Sequence, residues 1–178
     1  MRSIAPERLK FVDETGTQVG MVRAQAWGPI GHRVRVAAPR NRGRVETVIG
    51  SLGVAGIEAA TTFEGGTTTA RFLEFVTTHL APTLKPGDVV VMDNLAAHHS
   101  KVVISSIESC GARVLFTPTY SPDLNAIEFA WSKFKAVLRK WSAASHAVLR
   151  RLIPHAAAAI TPKDSRGYFG AVIGNQAV

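Results

Sequence analysis

The chain has 178 residues, 46% of them hydrophobic, which suits one folded domain and excludes wholesale disorder. Its apolar runs are far shorter than the roughly 20 residues of a membrane span, and its N-terminal stretch lacks the apolar segment of a signal peptide. The net charge of +8 favours a polyanionic partner such as nucleic acid, and a single cysteine, Cys110, excludes an internal disulfide and favours a reducing cytoplasm.

Three stretches in the first half of the chain have the composition of β-strands. Residues 9–14 are predicted to form the first, residues 15–17 a turn, and residues 18–27 a second strand that closes a hairpin. Residues 45–56, rich in Val, Ile and Gly, predict a third strand. Because the links between them are short, we expect these three strands to pair in antiparallel fashion.

Helices and strands alternate in the second half. The predicted elements are helices over residues 67–84, 100–110, 125–140 and 147–160, and strands over residues 89–92 and 113–116. This order predicts an α/β fold in which a mixed sheet, antiparallel first and parallel later, is flanked by helices. We assign residues 1–160 to this domain and residues 161–178 to a C-terminal tail that could form a helix.

Three carboxylates stand where predicted elements begin or end. Asp13 lies at the end of the first strand, and Asp93 follows the apolar strand over residues 89–92 at its carboxyl end, where open α/β sheets place their ligand sites. Glu128 lies at the start of the third predicted helix. Each also has an ordinary structural explanation. Asp13 and Asp93 could form turns or caps, and Glu128 could complete a capping box with Asn125.

Taken together, the three carboxylates fit one metal-dependent reaction. Mg²⁺ prefers hard oxygen ligands, and hydrolysis and strand transfer at phosphodiesters commonly use two such ions. Two carboxylates from strand ends and one from a helix start could supply these ligands if the fold brings them to one place.

The segments that carry the carboxylates resemble the three carboxylate blocks of the mariner-like transposase superfamily, in its bacterial insertion-sequence branch. The blocks are LKFVDETG from Leu9, PGDVVVMDNLAAH from Pro86 and FTPTYSPDLNAIE from Phe116. The 34 residues between Asp93 and Glu128 match the spacing of the Asp-Asp-Glu members. The resemblance covers roughly residues 8–160, and Ala126 departs from it, because the family usually has Pro there.

The resemblance implies a ribonuclease H-like fold, with Asp13, Asp93 and Glu128 as catalytic ligands of Mg²⁺ or Mn²⁺, most simply two ions. It implies cleavage of double-stranded DNA at insertion-sequence ends by water, followed by attack of the freed 3′-OH on target DNA. A homodimer in the active complex and a bacterial cytoplasmic location, at the nucleoid when bound to DNA, follow from the same resemblance.

Members of the superfamily normally carry an N-terminal helix-turn-helix region, and here the first carboxylate block begins at Leu9. The resemblance therefore implies a catalytic half that needs a DNA-binding half in cis or in trans. The chain could be a second reading frame joined by frameshifting or a truncated remnant. Two other readings stay open: another ribonuclease H-like nuclease, and an inactive remnant that only binds DNA.

Further polar residues are candidates for the site or for DNA contact. The resemblance places Asn94 and His98 near the site, where Asn94 could orient a ligand or phosphate and His98 could contact DNA; loop or cap roles are the alternative. The densest basic run of the sequence consists of arginines, which could contact DNA phosphates. The alternative is that these arginines lie on a solvated hairpin. That run comprises Arg33, Arg35, Arg40, Arg42 and Arg44.

Overall fold

Five strands form one mixed sheet in the computed structural model, which describes residues 4–23, 25–35, 43–119 and 121–174. They are β1 (Leu9–Thr17), β2 (Glu46–Gly53), β3 (Gly56–Glu64), β4 (Val89–Met92) and β5 (Arg113–Phe116). Their order across the sheet is β3-β2-β1-β4-β5. The pairs β1–β2 and β2–β3 are antiparallel, whereas β1–β4 and β4–β5 are parallel. The predicted mixed α/β sheet is confirmed.

The predicted strand over residues 18–27 is wrong, and the predicted turn over residues 15–17 belongs to β1. The described residues of that stretch lie outside the sheet, and Trp27 is fully exposed. Strand-forming residues need a neighbouring strand to accept their backbone hydrogen bonds, and these residues have none in the described structure.

The antiparallel partner of β1 is instead β2, and a third strand, β3, was not predicted as a separate element. Gly53 pairs with Gly56 across a tight turn, so the predicted strand over residues 45–56 runs past the end of β2. Strand β3 is rich in Ala, Thr and Glu, and most of its residues are only half-buried, so it lacks a strong apolar pattern.

Five helices lie in the described part of the chain, and the four predicted ones are among them. They are α1 (Thr69–Phe75), α2 (Lys101–Glu108), α3 (Ile127–Trp141), α4 (His146–Ala158) and α5 (Pro162–Gly174). Helix α1 continues through a wider turn over Val76–Leu80 and a tighter one over Ala81–Thr83. No helix in the described ranges is long and apolar enough to cross a membrane.

The sheet is covered by helices on both faces. Successive strand residues point to opposite faces, so Phe11 and Val12 of β1 belong to different apolar cores. Phe11 packs in the core beneath α3, α4 and α5, where Phe169 of α5 meets it edge-on at 5.0 Å. Val12 packs in the core beneath α1 and α2. Strands β1 and β4 are therefore buried between two helical layers, which fixes the position of whatever follows their carboxyl ends.

Helix α5 begins with a reciprocal cap that also ties it to α3. The N–H and the hydroxyl of Thr161 donate to Oδ2 of Asp164 at 2.8 and 2.5 Å, and the Asp164 N–H donates back to Oγ1 of Thr161 at 3.3 Å. Lys133 of α3 donates to the same Oδ2 at 2.6 Å. The hydrogen bond from Lys133, followed by those from Thr161, lowers the pKa of Asp164 below its usual range.

We expect Asp164→Asn to lower the melting temperature at pH 7. The folded-state pKa is depressed, so the carboxylate stabilises the fold above the unfolded-state pKa of about 4 and loses this contribution as the pH falls towards the folded-state value. Thermal melts at pH 7 and pH 3 should therefore show a gap between variant and wild type that narrows at pH 3. The exposed Asp123 provides the control substitution, Asp123→Asn. A gap of equal size at both pH values would contradict this role for the charge.

Candidate active site

Asp13 and Asp93 lie side by side where the parallel pairing of strands β1 and β4 ends. Strands β1 and β4 are parallel neighbours, and Phe11 is in register with Val91. Asp93 follows the end of β4 and Asp13 lies in the middle of β1, each two residues beyond that pair, where β1 continues past its parallel partner. The parallel pairing therefore brings together two carboxylates that are 80 positions apart in the sequence.

Helix α3 brings Glu128 to the same place because it packs directly on β2. Gly50 of β2 pairs with Asp13 of β1, and the Trp131 ring lies on that glycine. A Cβ atom at Gly50 would lie only 2.8 Å from the Trp131 ring, so the absence of a side chain allows the close approach. Glu128 lies three residues before Trp131, on the same side of the helix.

The three carboxylates line one cavity of about 310 Å³. Its walls combine the middle of β1, the segment after β4, the start of α3 and the loop after β5. The other lining residues are Asn94, Leu95, Thr117, Pro118, Thr119, Ser121 and Asn125. The structure thus brings the three predicted ligands to one place, which their positions in the sequence alone could not establish.

Asp13 carries the strongest electrostatic signature in the cavity. Its residue is 8% exposed, and burial raises its pKa to about 7; a backbone hydrogen bond at Glu14 opposes this rise, and the charges of Glu128, Glu14 and Asp93 add to it. Asp93 behaves in the opposite way, because its contact with His98 lowers its pKa. Burial, and to a smaller extent the neighbouring carboxylates, therefore disfavour the charged form of Asp13, and a bound cation would favour that form.

Asn125 is part of the cavity and does not cap α3. The helix begins at Ile127, the residue before it is Ala126, and no side chain caps the helix. The predicted capping box is therefore wrong: the Glu128 N–H donates to the backbone oxygen of Asn125 at 3.1 Å. Asn125 is 3% exposed, and its Oδ1 has no hydrogen-bonding partner among the described residues. Its amide oxygen is thus a further acceptor in the cavity wall, and only the family block pointed to it in the sequence.

The donor set of the cavity fits a hard divalent cation. Its ligand atoms are carboxylate and amide oxygens, which Mg²⁺ prefers. Within the described ranges, no three His, Cys, Asp or Glu side chains are arranged to hold a metal ion by themselves.

The sequence matches the DDE superfamily endonuclease family over residues 8–150, which is most of the chain. The chain belongs to this family. The match extends from the first carboxylate block to helix α4 and so includes all three carboxylates of the cavity. No curated relative matches the sequence.

Solved structures of Mos1 transposase share the fold of this DDE superfamily member. The Mos1 paired-end complex with the left transposon end matches with a TM-score of 0.76 and 19% identity, over 94% of this chain and 53% of that one. The Mos1 mariner paired-end complex with Mn gives 0.73 and 18%, over 97% and 54%. The Mos1 catalytic domain with raltegravir and Mg gives 0.67 and 15%, over 95% and 80%.

The chain spans about half the length of the Mos1 chains in the paired-end complexes and most of the isolated catalytic domain. At these identities the likeness establishes the fold, and the predicted ribonuclease H-like architecture is confirmed.

Two of the predicted accessory residues adjoin the cavity in different ways. Asn94 lines it and joins the ends of two strands, because its Nδ2 donates to the Thr117 oxygen at 2.6 Å and its Oδ1 contacts Nε2 of His99 at 2.9 Å. His98 is fully buried and so does not reach the surface, against the predicted DNA contact. Burial lowers the pKa of His98, but its close contact with Asp93 and the neighbouring carboxylate of Glu14 outweigh that effect and raise the pKa to about 9.

The predicted run of arginines does not line the carboxylate cavity in the described structure. Arg33 and Arg35 are exposed and lie outside the sheet. Arg44 is paired with Glu64 at the far end of β2 and β3. Arg40 and Arg42 lie outside the described residues, so their predicted contact with phosphate stays a prediction.

A second basic surface lies along α3, and we call it the α3 basic groove. It consists of two adjoining cavities, of about 470 and 600 Å³, that share Arg139. The first also contains Lys135 and the chain after β1, and the second contains Arg23 and Lys140. Among the residues that the structure describes, none that lines either cavity is acidic. Lys135, Arg139 and Arg23 form no ion pair with any residue that the structure describes, so their charges are available to a polyanion.

Proposed function

We propose that this chain is the catalytic domain of a DNA transposase that cleaves and joins DNA strands at the ends of an insertion sequence. The observation that carries the proposal is the convergence of Asp13, Asp93 and Glu128 on one cavity of a DDE-family fold. A structural role for each carboxylate alone would not require that they meet.

Mg²⁺ or Mn²⁺, most simply two ions, would supply the activation of the attacking water or 3′-OH and stabilise the leaving oxygen. The residues of the chain would hold these ions, and the fold fixes the positions of those residues. Asp13 and Asp93 are fixed by two buried parallel strands, and Glu128 is fixed by a helix that rests on Gly50. Asn125 lines the same cavity and has an unpaired neutral oxygen, and Asn94 holds the end of β4 against the loop after β5.

Mos1 transposase, which shares this fold, forms a paired-end complex with the left transposon end, which supports double-stranded DNA as the substrate here. We also propose that the active complex is a homodimer and that a DNA-binding half, in cis or in trans, recognises the ends.

The test compares substrates. Purified chain is incubated with Mn²⁺ and either a duplex carrying the DNA that flanks its gene or an RNA–DNA hybrid of the same sequence. Strand breaks in the DNA duplex support the transposase. Cleavage confined to the RNA strand of the hybrid would identify another ribonuclease H-like nuclease instead. Binding of the duplex without any metal-dependent cleavage, also when a DNA-binding half that recognises the ends is supplied in trans, would identify an inactive remnant.

We expect the α3 basic groove to hold part of the duplex by its phosphates. The double variant Lys135→Gln/Arg139→Gln should bind a duplex more weakly, and the slope of log affinity against log salt should shrink by about 2, because about one counterion is released per phosphate contact. Fluorescence anisotropy of a labelled duplex, recorded from about 50 to about 200 mM salt, measures both the affinity and its salt dependence.

The matched control for the groove is Lys163→Gln/Arg166→Gln, which removes two exposed charges from α5. It changes the net charge of the chain by the same amount. If the two double variants weaken binding equally, only the overall charge matters and the groove is not the binding face.

A further inference from the structure

His98 is the buried polar residue whose position the proposed chemistry leaves unexplained. It lies in the short turn after β4, where its N–H donates to the Leu95 oxygen at 2.9 Å. His98 is 0% exposed, and its ring lies tilted over the ring of Phe72 in α1, with the two ring centroids 4.2 Å apart. Burying an imidazole beside an apolar core costs free energy unless its nitrogens find partners.

Both ring nitrogens of His98 face carboxylates. Nδ1 lies 2.7 Å from Oδ1 of Asp93, and Nε2 lies 3.4 Å from Oε2 of Glu14. Neither Nε2 nor that Glu14 oxygen has a hydrogen-bonding partner among the described residues, so each faces the other as its charged neighbour. Glu14 follows Asp13 in β1, and alternation along the strand places its side chain on the opposite face of the sheet. The ring therefore connects β1 and β4 just behind the carboxylate cavity.

The contacts of Asp93 are divided unequally between its two oxygens. Oδ1 accepts the Leu95 N–H at 3.1 Å and also contacts Nδ1 of His98. The described residues give Oδ2 no comparable contact. The carboxylate lines the cavity, and its side chain is 39% exposed. Without the imidazole, a carboxylate at a strand end with one backbone hydrogen bond could turn about its last side-chain bond.

We propose that His98 is a positioning residue that fixes the rotation of Asp93 and presents Oδ2 to a divalent cation, with Glu14 holding the ring from behind. This inference rests on the proposed metal-dependent function. Residues that orient a metal ligand in this way typically change metal affinity by about 10–100-fold when they are replaced. The contacts of the ring with Asp93 and Glu14 explain why an imidazole is buried at this position, where an apolar side chain would pack at a lower cost in free energy.

The test is a titration of the full chain with Mn²⁺ alone, followed by electron paramagnetic resonance, on variants that separate the two nitrogens. His98→Asn places an amide nitrogen near the position of Nδ1, and His98→Gln places one near Nε2. We expect His98→Gln to bind Mn²⁺ about 10–100-fold more weakly than wild type and His98→Asn to recover most of that loss. Glu14→Gln should weaken binding less than His98→Gln, because it leaves the Asp93 contact in place.

The exposed His79 of the turn after α1 provides the control, and His79→Asn should bind Mn²⁺ like wild type. Thermal melts verify that each variant is folded. Equal affinities for His98→Asn and His98→Gln would overturn the positioning role, since the Asn amide can replace Nδ1 and its contact with Asp93, whereas the Gln amide replaces Nε2. A wild-type chain that binds no Mn²⁺ would overturn the proposed function and this inference together, whereas wild-type affinity in all folded His98 variants overturns this inference alone.

Discussion

Asp93→Asn is expected to reduce metal-dependent strand cleavage by about a thousandfold or more. The substitution keeps the size and shape of the side chain and removes the negative charge that would bind the cation. Metal ions contribute several kcal/mol to transition-state stabilisation, and each 1.4 kcal/mol corresponds to about tenfold in rate. Because Asp93 stands after the end of β4 and is partly exposed, the fold should remain intact. Nicking of supercoiled plasmid in Mn²⁺ and the Mn²⁺ titration measure the two effects.

The matched control is Asp123→Asn, which removes an exposed carboxylate from the turn before α3. We expect its nicking rate and its Mn²⁺ affinity to equal those of the wild type. If Asp93→Asn nicks plasmid as fast as this control, the carboxylate cavity is not the catalytic site. If both variants lose activity while both remain folded, the effect comes from general charge rather than from a ligand.

Trp131→Ala is expected to have the largest effect on stability. The Trp131 residue is 2% exposed, lies on Gly50 and meets Phe134 edge-on at 5.5 Å. Replacing a buried Trp or Phe by Ala typically costs 3–5 kcal/mol, on the order of half the stability of a small domain. Because the Trp131 ring determines how α3 packs on β2, and α3 carries Glu128, loss of the ring should also weaken Mn²⁺ binding in the fraction that stays folded. Urea unfolding followed by circular dichroism gives the change in free energy.

Trp141→Ala is the control from the same helix. Trp141 lies at the end of α3 and is 41% exposed, so its truncation should cost much less, about 1 kcal/mol. Equal losses for the two tryptophans would mean that the contact with Gly50 does not carry the packing of α3 on the sheet.

The sequence already determined the order of the elements in the second half of the chain. The apolar run of β4 and the periodic apolar positions of α3 are local patterns, and they predicted elements that the structure contains. Asp13, Asp93 and Glu128 were identified in the same way, by their places at element ends, by their spacing and by family resemblance. The structure supplied the fact that they line one cavity.

The first half of the chain shows where local patterns fail. The strand predicted over residues 18–27 had suitable residues but no partner strand, whereas β3 had a weak pattern and a good partner in β2. Strand formation depends on the neighbour that accepts the hydrogen bonds, and that neighbour is chosen by tertiary packing. Gly50 is a similar case, because its need for a small residue is visible only once Trp131 is placed on it.

The burial and the contacts of the polar residues around the cavity were determined by the tertiary structure alone. His98 was a candidate for the site or for DNA contact and lies buried between Asp93 and Glu14, and Asn125 was a candidate cap of α3 and instead lines the cavity with an unpaired oxygen. The sequence fixes which side chains can ligate, donate or accept, since those are properties of the residue types. Burial and the direction in which each atom faces depend on strands and helices that are distant in sequence, and these determined which carboxylate oxygen His98 holds.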